Sequence, residues 1–364
     1  MEDKDKKLYP LRFLEDSSQT PWGEVSYQIA DLGLRDSKIA DGWFGGNTLS
    51  ELMATYMERV VGDDAFEYYG LQFPLMVKVM KTTGWQPLQV NVGDTEAEER
   101  YDSFGKTAVW YVREADEDAC MYLGLKRDVT AEEFFVRCQD GTIKDVLNVV
   151  KPVPGDSFLI SPGTAYAAGP GLTIIEIGEC SEMSFSLQDP LLLEEAFDLI
   201  NFGRYPSCGI DSSDNVCFAD PTTGFAGGPP SYVAEGGHGC RGVNATGAEL
   251  TANEVFSVKK MELRDPLHVF SEQPGGFAIY HCLSGEALIQ PYGEDQDFPA
   301  KTVKGGQSIL VPSEVNDYLI LPAKEGTTLL EAVAEIRVPR DSYTGDSEDP
   351  EAPDVPDTHV RNWN

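Results

Sequence analysis

Histidine is scarce in this chain, at 4 of 364 residues, and basic side chains are outnumbered, with 28 Lys and Arg against 61 Asp and Glu. The resulting formal charge of −33 disfavours non-specific binding to nucleic acid and to anionic membrane surfaces. It also works at long range against phosphorylated ligands, which would need a local basic pocket. An acidic surface of this kind is equally compatible with a solubility or salt-tolerance trait. No apolar run is long enough to span a bilayer, and Met1-Glu2-Asp3-Lys4-Asp5-Lys6-Lys7 is charged with no apolar segment behind it. A cytoplasmic location is the default expectation. The 7 cysteines include no Cys-x-x-Cys pair, which argues against a close-paired metal or redox motif. What remains, 41% hydrophobic and 24% charged, is the composition of a globular protein able to bury a large core in two or three domains.

Strand-and-turn punctuation dominates the rest. Val153-Pro154-Gly155-Asp156 reads as a turn, Ser157 to Ile160 as a short strand, and Pro162-Gly163 as a second turn. Further strands are expected at 86–92, 107–113, 119–124 and 172–178. Thr48-x-x-Glu51 is a capping box opening a helix over Leu49 to Val60, with Leu49, Leu52, Met53, Tyr56 and Met57 on one face. Thr130-Ala131-Glu132-Glu133 repeats the signal before a helix to Cys138, a short helix is expected over Ile143 to Asn148, and Pro190 to Ile200 reads as an amphipathic helix. Val303 to Ser313 parallels Val153 to Pro162, and Ala278 to Ile289 has the form of strand, Gly turn and strand. This weak repeat predicts two β-barrels.

Pro162-Gly163-Thr164-x-Tyr166-Ala167-x-Gly169 resembles the Pro-Gly-Thr-x-His-Ala-x-Gly motif of the type I mannose-6-phosphate isomerases, members of the cupin superfamily. Pro21-Trp22-Gly23, Thr48-Leu49-Ser50-Glu51-Leu52 and Phe73-Pro74-Leu75-Met76-Val77-Lys78 resemble segments of the same family in the same order. So do Leu88-Gln89-Val90-Asn91 and Gly105-Lys106-Thr107-Ala108-Val109-Trp110-Tyr111. The likeness covers roughly residues 8–189 closely and 255–338 at the level of a second cupin barrel. It implies a mainly β fold of two cupin (jelly-roll) β-barrels, with a few helices packed on the N-terminal half. The expected organisation is an N-terminal barrel with helices at 1–189, a helix plus Gly/Pro/Cys-rich insert at 190–254, a C-terminal barrel at 255–340 and an acidic tail at 341–364.

The resemblance also implies a zinc site, because the family holds its catalytic zinc through a Gln, a His two residues on, a Glu and a second His. Here Gln89 is kept, while Asn91, Ala108 and Tyr166 occupy the other three positions, and none of these is an ordinary zinc donor. The family's catalytic Arg lies in a Thr-x-Tyr-Arg-Leu-x-Asp run that aligns with Met183 to Asp189, placing Ser186 at the Arg position. Aldose–ketose isomerisation needs the enediolate oxygen stabilised, and the metal does much of that. Its loss should cost several kcal/mol, about a thousandfold or more in rate.

No cofactor is therefore expected here, in contrast to the zinc of the family. Two functional readings follow from the resemblance. In one, the chain is a zinc-less, isomerase-like cupin protein with lost or altered activity, keeping a sugar-type pocket lined by Trp22, Lys78, Gln89, Asn91, Lys106 and Tyr166. In the other, it is an active sugar or sugar-phosphate isomerase with a non-standard site, in which Lys78 and Lys106 are candidate catalytic or phosphate-binding groups. A polar, hydrogen-bonded barrel interior with no ligand also fits the residues. The expected partner is a small carbohydrate or sugar phosphate, with no nucleic acid and no membrane. In the insert, Cys208, Cys217, His238 and Cys240 could form a Cys3His zinc site, although reduced cysteines or a disulfide fit the spacing as well. Cys120, Cys138, Cys180 and Cys282 read as small core residues. His268 and His281 read as structural residues on strands, and the tail after Arg340 as a solvated segment.

Overall fold

The structure, a computed structural model, describes residues 6–189, 192–205, 231–232, 239–241, 245–253, 255–270, 276–292 and 298–334. The expected insert residues Cys208, Cys217 and His238, the run from Gly224 to Pro230 and the acidic tail lie outside them.

In the first half the strands are β1 (Asp16–Thr20), β2 (Gly23–Ile29), β3 (Leu75–Thr82), β4 (Gln89–Asn91), β5 (Ala108–Ala115), β6 (Met121–Leu125), β7 (Leu147–Val150), β8 (Ser157–Ile160), β9 (Ala165–Ala168), β10 (Leu172–Glu179) and β11 (Ser184–Ser186). The second half supplies β12 (Ser231–Tyr232), β13 (Gly239–Arg241), β14 (Ala245–Ala252), β15 (Phe256–Leu263), β16 (Leu267–Phe270), β17 (Ala278–Ser284), β18 (Glu286–Pro291), β19 (Lys301–Lys304), β20 (Ser308–Val311), β21 (Asp317–Pro322) and β22 (Thr327–Ala334).

These strands form a six-stranded sheet in the order β1-β2-β3-β10-β5-β8 and a facing five-stranded sheet β11-β4-β9-β6-β7. The pattern then repeats as β12-β14-β15-β22-β17-β20 and β13-β16-β21-β18-β19 among the described residues. Every pairing between named strands is antiparallel, for example β10 with β3 and β22 with β15. The mainly β, jelly-roll architecture expected from the motifs is thus present twice.

Alternation along the strands gives each large sheet two apolar faces. One face of the first six-stranded sheet packs with the five-stranded sheet through Val25, Met76, Met80, Trp110, Val112 and Phe158. The other face, with Val77, Val79, Val109, Tyr111, Ile175 and Ile177, joins Val258, Ile279, Leu310 and Ala332 of the second half in one continuous core. Leu11 bridges to Leu310, and the Phe73 and Phe277 rings meet at 4.7 Å, so the halves share buried apolar surface. His281 lies in this seam, donating to or accepting from Ser308 Oγ at 2.9 Å. Burial and the neighbouring Arg113 push its pKa down to about 3, leaving it neutral. His268 instead pairs with Asp317 at 2.7 Å and packs on Tyr292. Both are structural, as their isolation in the sequence suggests.

The helices α1 (Leu49–Tyr56), α2 (Glu58–Val61) and α3 (Asp63–Tyr69) bury Leu49, Leu52, Met53, Tyr56, Val60 and Val61 in the shared core. The Thr48–Glu51 capping box is formed. The single helix expected to Val60 is interrupted at Met57, which has φ 48°. A helix not anticipated, α4 (Asp94–Tyr101), follows β4, while α5 (Ala131–Gln139) and α6 (Leu193–Leu199) cover the outer face of the five-stranded sheet through Phe134 and Ala196.

The helix expected over 143–148 is a 3₁₀ turn, Ile143–Asp145, leading into β7. Here the β-branched pair Val149 and Val150 prefers the pleated surface beside β6. Regular structure also enters the span read as an insert, where β14 pairs along β15. Its Ala-Thr-Gly-Ala-Glu-Leu-Thr-Ala sequence has too little apolar alternation to announce a strand. Cys180 and Cys282 are buried as expected, whereas Cys120 and Cys138 are only half-buried.

Gly62, between α2 and α3, tests how tightly the halves are joined. It has φ 92°, and an added Cβ would come within 2.8 Å of Gly276 Cα in the second half. Gly70 has a similar φ of 61° with open space around it. In urea unfolding, Gly62→Ala should cost about 3 kcal/mol, combining backbone strain with overpacking, and Gly70→Ala only about 1 kcal/mol. Equal costs would show that the contact with Gly276 is not tight.

Candidate functional site

Strand register builds the polar centre of the first barrel. Tyr27, Lys78, Glu176, Trp110 and Phe158 stand directly opposite one another across β2, β3, β10, β5 and β8, forming one row across the inner face of the six-stranded sheet. On the facing sheet Gln89 pairs with Tyr166 and with Ser186, and Asn91 pairs with Ser184, which puts all five on one face. The Trp110 and Tyr166 rings meet edge to face at 5.3 Å and join the two layers.

At the middle of the row Glu176 is 2% exposed. Lys78 Nζ lies 2.9 Å from its Oε1, Lys106 Nζ lies 3.6 Å from the same oxygen, and Trp110 Nε1 donates to Oε2 at 2.7 Å. Burial alone would push the Glu176 carboxyl up; the two ammonium groups and the indole N–H outweigh it and hold the group down at about 2. Sequence reasoning did not single out Glu176. The available signal was a lone carboxylate inside the apolar run Ile174-Ile175-Glu176-Ile177.

Above the row, Tyr166 OH donates to Asn91 Oδ1 at 2.6 Å and Ser184 Oγ donates to the same oxygen at 2.7 Å. Tyr166 and Asn91 are each 1% exposed. Burial, reinforced by the Glu176 charge, raises the Tyr166 phenol well above its ordinary range, so it stays protonated. Among the described residues Asn91 Nδ2 has no hydrogen-bond partner.

The structure thus brings together Lys78, Lys106, Asn91 and Tyr166, with Gln89 and Ser186 half-buried on the same face. It does not bring Trp22 to them. Gly23 faces Thr82 while Tyr27 faces Lys78, so the Pro21–Trp22 turn sits at the opposite end of the strands. Lys78 and Lys106 do not form the open basic pocket considered for a phosphate, since both are committed to Glu176.

The donor set is a poor match to zinc. Ala108 offers no donor atom, the Asn91 carbonyl already accepts two O–H groups, and Tyr166 is a protonated phenol. Among the described residues no group of three or more His, Cys, Asp or Glu is placed to hold a metal ion. Cys240 lies on β13, and its expected partners fall outside the described residues.

A second carboxyl cluster lies at the end of β10. Thr107 N donates to Glu179 Oε2 at 2.7 Å. Burial, and then the charge of Asp94, push Glu179 up to about 7. The side chain of Glu182 accepts from Tyr27 OH at 2.7 Å and lines a groove of about 690 Å³ with Asp31, Leu71, Gln72, Ser103 and Ser181.

Because the folded pKa of Glu179 lies above its unfolded value near 4.5, its contribution is fully present below about pH 4.5 and is lost as pH rises through about 7. Stability attributable to Glu176 runs the other way, being present above about pH 4.5 and lost as pH falls towards about 2. Denaturant melts from pH 3 to 8 should therefore show Glu179→Gln removing the decline between about pH 4.5 and 7. A wild-type slope retained in that variant would show that Glu179 is not its source. Glu176→Gln, which leaves two buried ammonium groups without their counter-charge, should cost about 3–5 kcal/mol at pH 7.

No family profile matches the chain. Among curated proteins it is similar to the mannose-6-phosphate isomerase of Streptococcus mutans, 27% identical over 179 residues, which is 46% of this chain and 55% of that one. It is also similar to the mannose-6-phosphate isomerase ManA of Bacillus subtilis, 30% identical over 154 residues, 42% of this chain and 47% of that one. The match spans about half the length of these relatives. A further Bacillus subtilis relative, YvyI, matches at 25% identity over 287 residues, 78% of this chain and 81% of its own length. The fold is that of the solved mannose 6-phosphate isomerase from Bacillus subtilis, with a TM-score of 0.68 and 19% identity, covering 89% of this chain and 99% of that one. A variant of the Salmonella typhimurium phosphomannose isomerase superposes with a TM-score of 0.65 at 12% identity over 90% of this chain and 100% of that one. The motifs, the twice-repeated jelly roll and these comparisons together show a chain similar in sequence to the mannose-6-phosphate isomerases and sharing their cupin fold.

Proposed function

We propose that this chain is a mannose-6-phosphate isomerase-like cupin protein that has lost the zinc-dependent isomerisation of the family and binds a carbohydrate without converting it. The observation that carries the reading is the closure of the polar centre on itself, with Asn91 Oδ1 accepting from both Tyr166 OH and Ser184 Oγ. Groups that hold a metal or a substrate need lone pairs facing the ligand. Here those lone pairs face neighbouring hydroxyls. Ser186 at the family's Arg position also removes the cation that would meet developing negative charge.

The ligand-binding surface in this reading is the groove beside Glu182 rather than the barrel interior. Its lining offers carboxylates, hydroxyls and an amide, and no Lys or Arg. Such a surface accepts hydrogen bonds from sugar hydroxyls and repels a phosphate. The apolar Leu71 and Leu32 provide the flat contact on which a sugar ring can rest.

Metal content and turnover test the reading on one preparation. Purified protein should carry only trace zinc at the family positions and show no conversion of mannose 6-phosphate to fructose 6-phosphate in a coupled assay. A combined Asn91→His, Ala108→Glu and Tyr166→His variant should recover stoichiometric zinc. Robust turnover by the wild-type chain, or stoichiometric zinc that disappears on Asn91→Ala, would refute the proposal.

A further inference from the structure

The internal repeat separates what belongs to the barrel framework from what belongs to the site. Lys78, Glu176, Trp110 and Phe158 lie opposite one another across β3, β10, β5 and β8. Lys259, Glu331, Tyr280 and Ile309 lie in the same order across β15, β22, β17 and β20. Tyr166 meets Trp110 edge to face, and Tyr318 meets Tyr280 in the same way. The Tyr280 and Tyr318 hydroxyls lie 2.8 Å apart, and Tyr280 OH donates to Glu331 at 2.9 Å. A lysine, a glutamate and two aromatic rings are therefore part of each barrel's own framework, Tyr166 among them.

Lys106 is not part of that framework. It stands two residues before β5, where the second half has Gly276 two residues before β17. With the Lys–Glu pair assigned to the framework, Lys106 is the charge that the first barrel adds. Lys78, Lys106 and Glu176 are 8%, 5% and 2% exposed, so the cluster buries one positive charge in excess. Glu182, the carboxylate that reaches the row through Tyr27, is exposed and screened by water. Asn91 Nδ2, on the facing sheet beside Tyr166, is a buried donor with no acceptor among the described residues.

An excess buried ammonium and an unpaired amide donor are each costly alone, and both are complementary to a group with one negative charge and free lone pairs. Ala108, on the same face as Trp110, presents a methyl and no polar atom. We infer that the polar centre of the first barrel holds one small monovalent anion, a carboxylate or a halide, against Lys106 and Asn91. The inference rests on the reading that no metal sits between Asn91 and Tyr166. A phosphate monoester, with close to two negative charges, would overcompensate the site.

Thermal melts of the full chain in sodium chloride, bromide and formate test it, at ionic strength held constant with a bulky sulfonate and with zinc measured on the same sample. One or more of the small anions should raise the melting temperature by about 2 °C for each tenfold increase above half-saturation. The ranking of formate against the halides tells which source of charge the site prefers. Lys106→Met should abolish that rise. Lys259→Met should lower the baseline and leave the rise intact.

A crystal grown in bromide should show an anomalous peak between Lys106 and Asn91, which decides the matter if Lys106→Met does not fold. An identical salt response in wild type and Lys106→Met overturns the inference. So does the absence of both a small-anion effect and a bromide peak, which would assign a water to Asn91. Zinc at the site would instead overturn the metal-free reading, whatever the anions do.

Discussion

The buried carboxylate of Glu176, held between Lys78 and Lys106 and capped by the Trp110 indole, is the interaction on which the first barrel's interior depends. An isolated carboxylate this deep would be expensive, and so would either ammonium. Together they form a cluster that is compatible with an apolar surround only in one register of β3, β10 and β5. A slip of one residue would turn Lys78 and Glu176 into the apolar seam between the halves, where Val77, Val79, Ile175 and Ile177 now pack. The polar row thus fixes which face of the six-stranded sheet looks inward.

Facing that row, Tyr166, Asn91 and Ser184 form one hydrogen-bonded unit. Tyr166 brings a hydroxyl that must be satisfied once buried, and Asn91 supplies the acceptor. Ser184 satisfies the second lone pair of the same oxygen. The result resembles the interior of the second barrel, where Tyr280 and Tyr318 pair over Glu331. Each barrel interior thus contains a buried tyrosine hydroxyl paired with a side chain of the same barrel. The groove lined by Asp31, Gln72, Ser103 and Glu182 remains open beside it.

Much of this was legible in the sequence, for identifiable reasons. Turn chemistry at Pro154-Gly155 and Pro162-Gly163 framed β8, and the capping box at Thr48 placed α1. The motif resemblance singled out Gln89, Asn91 and Tyr166, which the pairing of β4 with β9 and β11 puts on one face. Other features were hidden. Nothing local marks Glu176 as the partner of two lysines distant in sequence, so Lys78 and Lys106 looked like a free basic pair. Trp22 belonged to a convincing motif, yet the registers of β2 and β3 carry it to the far end of the barrel. The strand Ala245–Ala252 was obscured by small and polar residues, and it is fixed by the neighbouring β15 rather than by its own propensity.

The central claim is that Tyr166 and Asn91 form a structural hydrogen bond occupying the place of a metal site. A double-mutant cycle with Tyr166→Phe and Asn91→Ala, read by chemical denaturation at pH 7, measures that bond directly. The account predicts a coupling energy of about 1–2 kcal/mol, with each single variant destabilised by the buried group it leaves unpaired. Strictly additive effects of the two substitutions would contradict it.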